Sequence, residues 1–234
     1  CKSINMNIAI FGYGKMGKKI FDHAQKRGHD VIIKSNSKNP ANQTDLSNID
    51  VVIEFSTPEK AFENISYALS RNTPVICGTT NWLENLNKIQ DLCTKNNGAF
   101  LYASNFSIGV NIFFEINKIL AAKMKDLDYQ ISISEIHHKE KLDSPSGTAI
   151  SILNDIKEIN NLAEININSQ RVDSNIGTHE VKYSSTIDNI TFKHEANNRD
   201  GFALGALIAA EWIINKKGFS TSSFSINIYS SFDR

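Results

Sequence analysis

The feature that most constrains this chain is the spacing of its first apolar runs. Asn7 to Phe11, the DVIIK run from Asp30, Asp50 to Ser56, the TPVICG run through Val75 and the AFLYAS run from Ala99 are short and largely apolar. The segments between them have helical periodicity. Ile20, Phe21 and Ala24 recur at helical spacing before Gly28, a natural C-cap. Pro58 opens a second helix with Ala61, Ile65, Ala68 and Leu69 on one face, and Trp82 to Asn96 makes a third. Apolar strands separated by amphipathic helices predict a parallel sheet covered on both faces.

The pattern changes near Asn105. One long amphipathic helix is predicted with Ile112, Phe113, Ile116, Ile119 and Leu120 as its buried stripe. YQISISEIH then alternates strictly, as a strand with one covered face does. A helix from about Pro145 to Asn160 follows. HEVKYSS and NITFKHEA then read as strands flanking a turn at Asp188 and Asn189. The last helix, Phe202 to Ile214, is too apolar to sit outside and should pack back on the first domain. The fold class is therefore α/β: an N-terminal Rossmann-type doubly wound parallel sheet, with a second α+β domain built on an open mixed sheet. Residues 1–106 and 204–234 are assigned to the first domain, and 107–203 to the second.

Composition removes several function classes. With 25 basic and 25 acidic residues the chain lacks the basic excess of a nucleic-acid binder. No apolar stretch approaches the length of a membrane span, and CKSINMN has no signal-peptide core. Three cysteines without CxxC spacing argue against a disulfide framework, so a reducing cytoplasm is expected. Met6 directly precedes the first strand, so residues 1–5 are read as an extension.

The first strand runs into G-Y-G-K-M-G, with Gly12, Gly14 and Gly17 at GxGxxG spacing. Gly12 allows the tight turn, Gly14 lets a pyrophosphate approach the backbone, and Gly17 permits close helix–strand packing. The helix N-terminus adds free N–H groups and a positive dipole end. Lys15 is equally readable as a phosphate contact or a solvated lysine. The second strand ends in K-S-N-S-K, Lys34 to Lys38, without the acid that pairs the ribose hydroxyls in NAD-specific sites. Ser35, Asn36, Ser37 and Lys38 would tolerate a 2′-phosphate, so NADPH is favoured over NADH. Phe55-Ser56-Thr57-Pro58 and Cys77-Gly78-Thr79-Thr80 belong at the same sheet edge, where they suit a nicotinamide ribose and amide or are ordinary turns. Cys77 is read as a core residue rather than a nucleophile.

The densest chemical signal is EIHHKEKLDSPSGTA, Glu135 to Ala149. Adjacent His137 and His138 on a strand point to opposite faces, no HExxH spacing is present, and no cysteine completes a set, so no metal is expected. A histidine titrating near neutrality suits the proton that accompanies a hydride. Ser144 is placed as the helix cap and Pro145 at its first position. Ser146, Gly147 and Thr148 then offer free N–H groups to an anion, with Lys141 beside them. The alternative is simply a well-capped helix.

These residues carry a resemblance. GYGKMG, DVVIEFSTPE, VICGTT, ASNFSIGVN, EIHHKEKLDSPSGTA and HEANNRDGFALGA together resemble the 4-hydroxy-tetrahydrodipicolinate (dihydrodipicolinate) reductases of the bacterial lysine and diaminopimelate pathway, over nearly the whole length. The resemblance implies NADH- or NADPH-dependent reduction of a conjugated cyclic imine, a small dicarboxylate, at the ring carbon distal to nitrogen. It implies His137 as proton donor and acceptor, and Lys141 as second acid or carboxylate anchor. His138, Ser146, Gly147 and Thr148 would hold substrate. The cofactor would lie along Gly12, Tyr13, Gly14, Lys15, Met16 and Gly17, with Ser35, along Gly78, Thr79 and Thr80, and along Ala103, Ser104, Asn105 and Phe106. Family members are usually homotetramers, so the resemblance makes residues 1–106 with 204–234 the dinucleotide-binding domain and 107–203 the substrate-binding and oligomerisation domain. Departures are the absent acid after the second strand, Glu140 where a basic residue is usual, and the ending FSTSSFSINIYSSFDR. A Rossmann dehydrogenase of another small carboxylate, or a non-catalytic nucleotide sensor, are the competing readings. The first has no reason to carry the double histidine, and the second could lose His137 and Lys141.

Overall fold

The computed structural model describes residues 5–160 and 165–220. Its elements begin with β1 (Asn7–Phe11), α1 (Lys15–Lys26), β2 (Asp30–Ser35), β3 (Val51–Glu54), α2 (Pro58–Leu69), β4 (Val75–Cys77), α3 (Leu86–Lys95) and β5 (Ala99–Tyr102). They continue with α4 (Ile108–Met124), β6 (Gln130–His137), α5 (Gly147–Asn160), β7 (Ile167–Arg171), β8 (Thr178–Ser184), β9 (Asn189–Glu195), α6 (Asp200–Ile213) and β10 (Gly218–Ser220). Two compact units result, one of Cys1–Ile108 with Asp200–Arg234 and one of Gly109–Arg199.

In the first unit six parallel strands pair in the order β10-β5-β4-β3-β1-β2. Side chains of a strand alternate between faces, so a strand buried on both sides must be apolar throughout. β1 shows this: Ile8 and Ile10 join one core, Ala9 and Phe11 the other. The first core takes α1 and α6; the second takes α2 and α3. β2 is an edge strand and leaves Ile32 exposed. From β1 the chain runs outward to β2, then crosses to β3 on the other side. That reversal opens a crevice at the carboxyl ends of β1 and β3.

As expected, α6 packs into the core of the first unit. Its Glu211 is gripped by Arg27 through two bonds of 2.6 and 2.8 Å, and lies 2.8 Å from His29. Gly205 lets α6 reach the chain after β5, because a Cβ there would stand 1.8 Å from the carbonyl oxygen of Phe106. Backbone, not a pliable side chain, is in the way. Gly205→Ala should therefore cost about 1–3 kcal/mol and lower Tm by about 5 °C. A thermal melt superimposable on wild type would contradict that packing.

The second unit is a four-stranded sheet in the order β7-β6-β8-β9, with β6 and β7 parallel and the other pairs antiparallel. The open mixed sheet is thus present, and α4 and α5 supply its core with Phe113, Phe114, Ile152 and Ile156. Several details differ from expectation. The helix predicted from Trp82 begins as a 3-10 turn at Leu83–Asn85 and becomes α-helical at Leu86. β7 and β10 were not anticipated, since INSQR and GFS carry little apolar signal. The face of α4 is rotated: Phe113 is buried, but Ile112, Ile116 and Ile119 are 40%, 46% and 62% exposed. Val110, Phe114, Asn117 and Ala121 are buried instead, and Asn117 donates to the Ile152 carbonyl at 3.3 Å. A helix with two apolar stripes gives no way to choose between them by periodicity. Of the expected N-terminal extension, residues 1–4 lie outside the described residues, while Asn5 hydrogen-bonds Asp30 at 3.2 Å. FSTSSFSINIYSSFDR lies outside them from residue 221 onward. Among the described residues no helix is long and apolar enough to cross a membrane.

Candidate active site

The glycines after β1 divide their tasks. Gly12 has φ +97°, and a Cβ there would meet the Phe55 carbonyl oxygen at 2.2 Å. At Gly17 a Cβ would stand 2.5 Å from the Gly12 oxygen, so α1 could not approach β1. Nothing lies within 4 Å of a Cβ at Gly14, which leaves that backbone open to a ligand. The amides of Gly12 and Tyr13 donate to the Ser35 carbonyl at 3.3 and 2.8 Å, joining this loop to the end of β2.

A cleft of about 600 Å³ opens here, lined by Gly12, Tyr13, Gly14, Ser35, Asn36 and Ser37 on one side. Phe55, Ser56, Thr57, Lys60, Glu63 and Asn64 line the other. Lys60 and Asn64 were not foreseen; they come from the first turns of α2, reached only because the strand order reverses. Lys15 is exposed, Met16 is half-buried, and neither lines the cleft. Gly78 carries no side chain because the Phe55 ring would stand 2.3 Å from its Cβ. Thr79 and Thr80 follow, with the Thr79 hydroxyl buried and without a partner. Ala103, Ser104, Asn105 and Phe106 follow β5 at the same sheet edge, and the Phe106 ring lies 5.8 Å from that of Phe55. An open cleft at a glycine turn and an unpaired buried hydroxyl fit a dinucleotide.

Glu54, fully buried at the end of β3, holds these loops. It accepts from the Ser56 N–H at 3.1 Å and from the Ser56 hydroxyl, from Asn64 at 3.4 Å and from the Cys77 thiol at 3.3 Å. Burial, then the Glu54 charge, push the Cys77 thiol well above the ordinary range, so it is no nucleophile.

The second cluster forms where β6 ends. Its register sets His179 of β8 opposite Glu135, and Arg171 of β7 opposite His137. Side chains directly opposite share a face of the sheet. Glu135, His137 and His179 are all buried there. The Arg171 guanidinium lies 3.3 Å from Glu135, and the His137 and His179 rings are 5.0 Å apart. Lys141 pairs with Asp143 at 2.8 Å. His138 is half-buried, and its Nδ1 has no partner.

The anion cradle differs from its expected form. α5 starts at Gly147, and its cap is Ser146, whose hydroxyl accepts the Ala149 N–H at 3.2 Å; Ser144 and Pro145 precede the helix. The Ser146 N–H is not free, because it donates to both oxygens of Glu135 at 3.0 and 3.2 Å. Gly147 has nothing within 4 Å of a Cβ, while Thr148 is buried. Glu135, Arg171 and His179 are the residues the sequence reading missed. Ligand atoms of Glu135, His137 and His179 lie within 4.8 Å of one another, a spacing a metal could use, but the guanidinium already supplies the positive charge at Glu135.

Burial pushes His137 down to about 4; Glu135 works against this, and the charges of Lys141 and Arg171 add to it. Burial and the neighbouring His137 bring His179 to about 3. Both are neutral at pH 7. The unfolded chain protonates them near 6.5, so between about pH 3 and 6.5 it binds more protons than the folded protein. Stability is full above pH 6.5 and falls as pH drops toward 4. Thermal melts should show a lower Tm at pH 5 than at pH 7, and His179→Gln should flatten that slope. A Tm independent of pH over this range would contradict neutral buried histidines.

Residues 6–106 match the family model "Dihydrodipicolinate reductase, N-terminus", and residues 109–226 match "Dihydrodipicolinate reductase, C-terminus". The chain belongs to the dihydrodipicolinate reductase family. It is 44% identical over 228 residues to the 4-hydroxy-tetrahydrodipicolinate reductase of Christiangramia forsetii, covering 92% of this chain and 95% of that protein. To the protein of the same name from Thermosipho africanus it is 38% identical over 218 residues, with coverage of 92% and 95%. The solved dipicolinate-bound dihydrodipicolinate reductase of Paenisporosarcina sp. TG-14 shares the fold, with a TM-score of 0.74 at 22% identity, covering 94% of this chain and 99% of that one. The amine dehydrogenase of Mycobacterium smegmatis also shares it, with a TM-score of 0.64 at 7% identity and coverage of 91% and 93%. The architecture therefore serves several oxidoreductases, and family membership rests on the sequence matches.

Proposed function

We propose that this chain is a 4-hydroxy-tetrahydrodipicolinate reductase, which uses NADH or NADPH to form tetrahydrodipicolinate. The observation that carries this reading is a buried histidine at the end of β6 with a lysine in the loop that follows it, in a family member. The first unit binds the nucleotide and the second binds the substrate. The bound cofactor supplies the hydride. In the second unit, Lys141 and the start of α5 at Gly147 and Thr148 hold a substrate carboxylate, which takes the place of Asp143 at Lys141 and at the Gly147 amide, with His138 beside them. His137 donates and accepts the proton that balances the hydride. It is neutral in the free protein, and a dianionic substrate favours its protonated form. Proton uptake on substrate binding thus loads the acid.

NADPH is the preferred cofactor in this reading. The loop lining the cleft after β2 offers Ser35, Asn36 and Ser37 and no acid, and the Glu63 carboxylate across the cleft is paired with Lys60 at 2.9 Å. Asn36 fixes the loop by accepting the amides of Lys38 and Asn39 at 2.9 and 3.1 Å. The exposed apolar stripe Ile112, Ile116 and Ile119 supports assembly, which we take to be a homotetramer. Free, buried Cys77 and Cys93 suit the cytoplasm. The test follows absorbance of NADH and NADPH in parallel, with substrate made in situ by a purified dihydrodipicolinate synthase. Substrate-dependent oxidation, faster with NADPH, is expected. A folded protein that oxidises neither cofactor would overturn the function, and faster NADH oxidation would overturn the preference alone.

A further inference from the structure

The loop that carries Lys141 has no regular structure, yet the proposed chemistry needs Lys141, the helix N-terminus and His137 in fixed relation. A single buried carboxylate connects all three. Glu135 sits two residues before His137 on β6, so both side chains leave the same face. It accepts the Ser146 N–H through both oxygens, which anchors the start of α5. Its Oε2 lies 3.4 Å from His137 Nδ1, close enough for charge to act though not aligned as a hydrogen bond. Arg171 completes the unit. The guanidinium contacts Glu135 at 3.3 Å and donates to the carbonyls of Lys141 at 3.4 Å and Asp143 at 2.5 Å. The planar fork of arginine can reach three oxygens at once, which lysine cannot.

We propose that the buried Glu135–Arg171 pair is the positioning unit of this site: Glu135 holds the α5 N-terminus and supplies the negative charge facing His137, while Arg171 pins the Lys141 loop. This rests on the assignment of His137 and Lys141 given above. A buried carboxylate is costly unless paired and hydrogen-bonded, and Glu135 is both. Around His137 stand Glu135 on its own strand, Arg171 on β7, His179 on β8 and Lys141 and Asp143 in the loop, with His194 of β9 acting on His179. Glu135 and the more exposed Asp143 are the negative charges in that set. Without Glu135, His137 faces two cations and a second imidazole, with the more exposed Asp143 the one negative charge left in that set.

The two residues therefore fail differently. In Glu135→Gln the amide oxygen still accepts from Ser146 but carries no charge. The basic limb of the kcat profile should move to lower pH by about one unit, and proton uptake on dipicolinate binding, read by calorimetry in buffers of different ionisation heat, should shrink at pH 7. In Arg171→Lys the charge stays and the three-way bridge is lost. Dipicolinate affinity should weaken by about tenfold, with the pH limb unmoved. Both readouts on dipicolinate are independent of turnover. A pH limb and proton uptake unchanged in a folded Glu135→Gln protein would overturn the charge role. Unchanged dipicolinate affinity in Arg171→Lys would overturn the pinning role. Should Glu135→Gln not fold, Arg171→Lys decides: unchanged affinity rejects the unit, and weakened affinity with an unmoved limb supports it. Wild-type protein lacking substrate-dependent oxidation would instead reject the underlying function.

Discussion

His137→Gln is expected to lower kcat by about two to four orders of magnitude while dipicolinate affinity stays within a few-fold of wild type. Glutamine has similar length and hydrogen-bonding capacity but cannot carry a proton. His137 is buried against Gly177, where a Cβ would stand 3.3 Å from its Nε2, so the ring has one place to be. The measurement is steady-state kinetics beside calorimetric binding of dipicolinate. The proton taken up on binding should vanish in the variant. Weakened binding with intact kcat would instead make His137 an anchor.

Lys141→Met should have the complementary signature. A charge-assisted contact to a carboxylate contributes about 1.5–3 kcal/mol, so dipicolinate affinity should fall by about 10- to 100-fold. The Asp143 left behind is half-exposed and can be solvated, so the fold should survive. The charge of Lys141 is among the causes that depress His137. Its removal should move the basic limb of the pH profile upward, opposite to the shift expected for Glu135→Gln. A kcat loss as deep as that of His137→Gln, with affinity intact, would make Lys141 a proton-transfer group rather than an anchor.

What the sequence could reveal depended on how local each feature is. The roles of Gly12 and Gly17 are visible in GYGKMG because strand, turn and helix are contiguous, and the structure places a carbonyl oxygen where each Cβ would go. His137 and Lys141 stand out as candidates for the same reason, because both belong to one short segment of sequence. Arg171 and His179 do not, because they reach Glu135 only through the pairing of β6 with β7 and β8. INSQR gives no sign that it forms a strand, so no reading of it could bring Arg171 to the site. The helix cap is Ser146 rather than Ser144 for a related reason: the amide of Ser146 turns inward to a carboxylate eleven residues back. On α4, the face was chosen by the β-sheet and α5 it packs against, not by its own hydrophobicity.

The most direct test of the reductase reading uses cofactor deuterated at both hydrogens of nicotinamide C4, with the product analysed by mass spectrometry. The expected result is a dicarboxylate product heavier by one deuterium, formed only when protein and in-situ substrate are both present. Product without the label, or cofactor consumed with no reduced dicarboxylate, would contradict it.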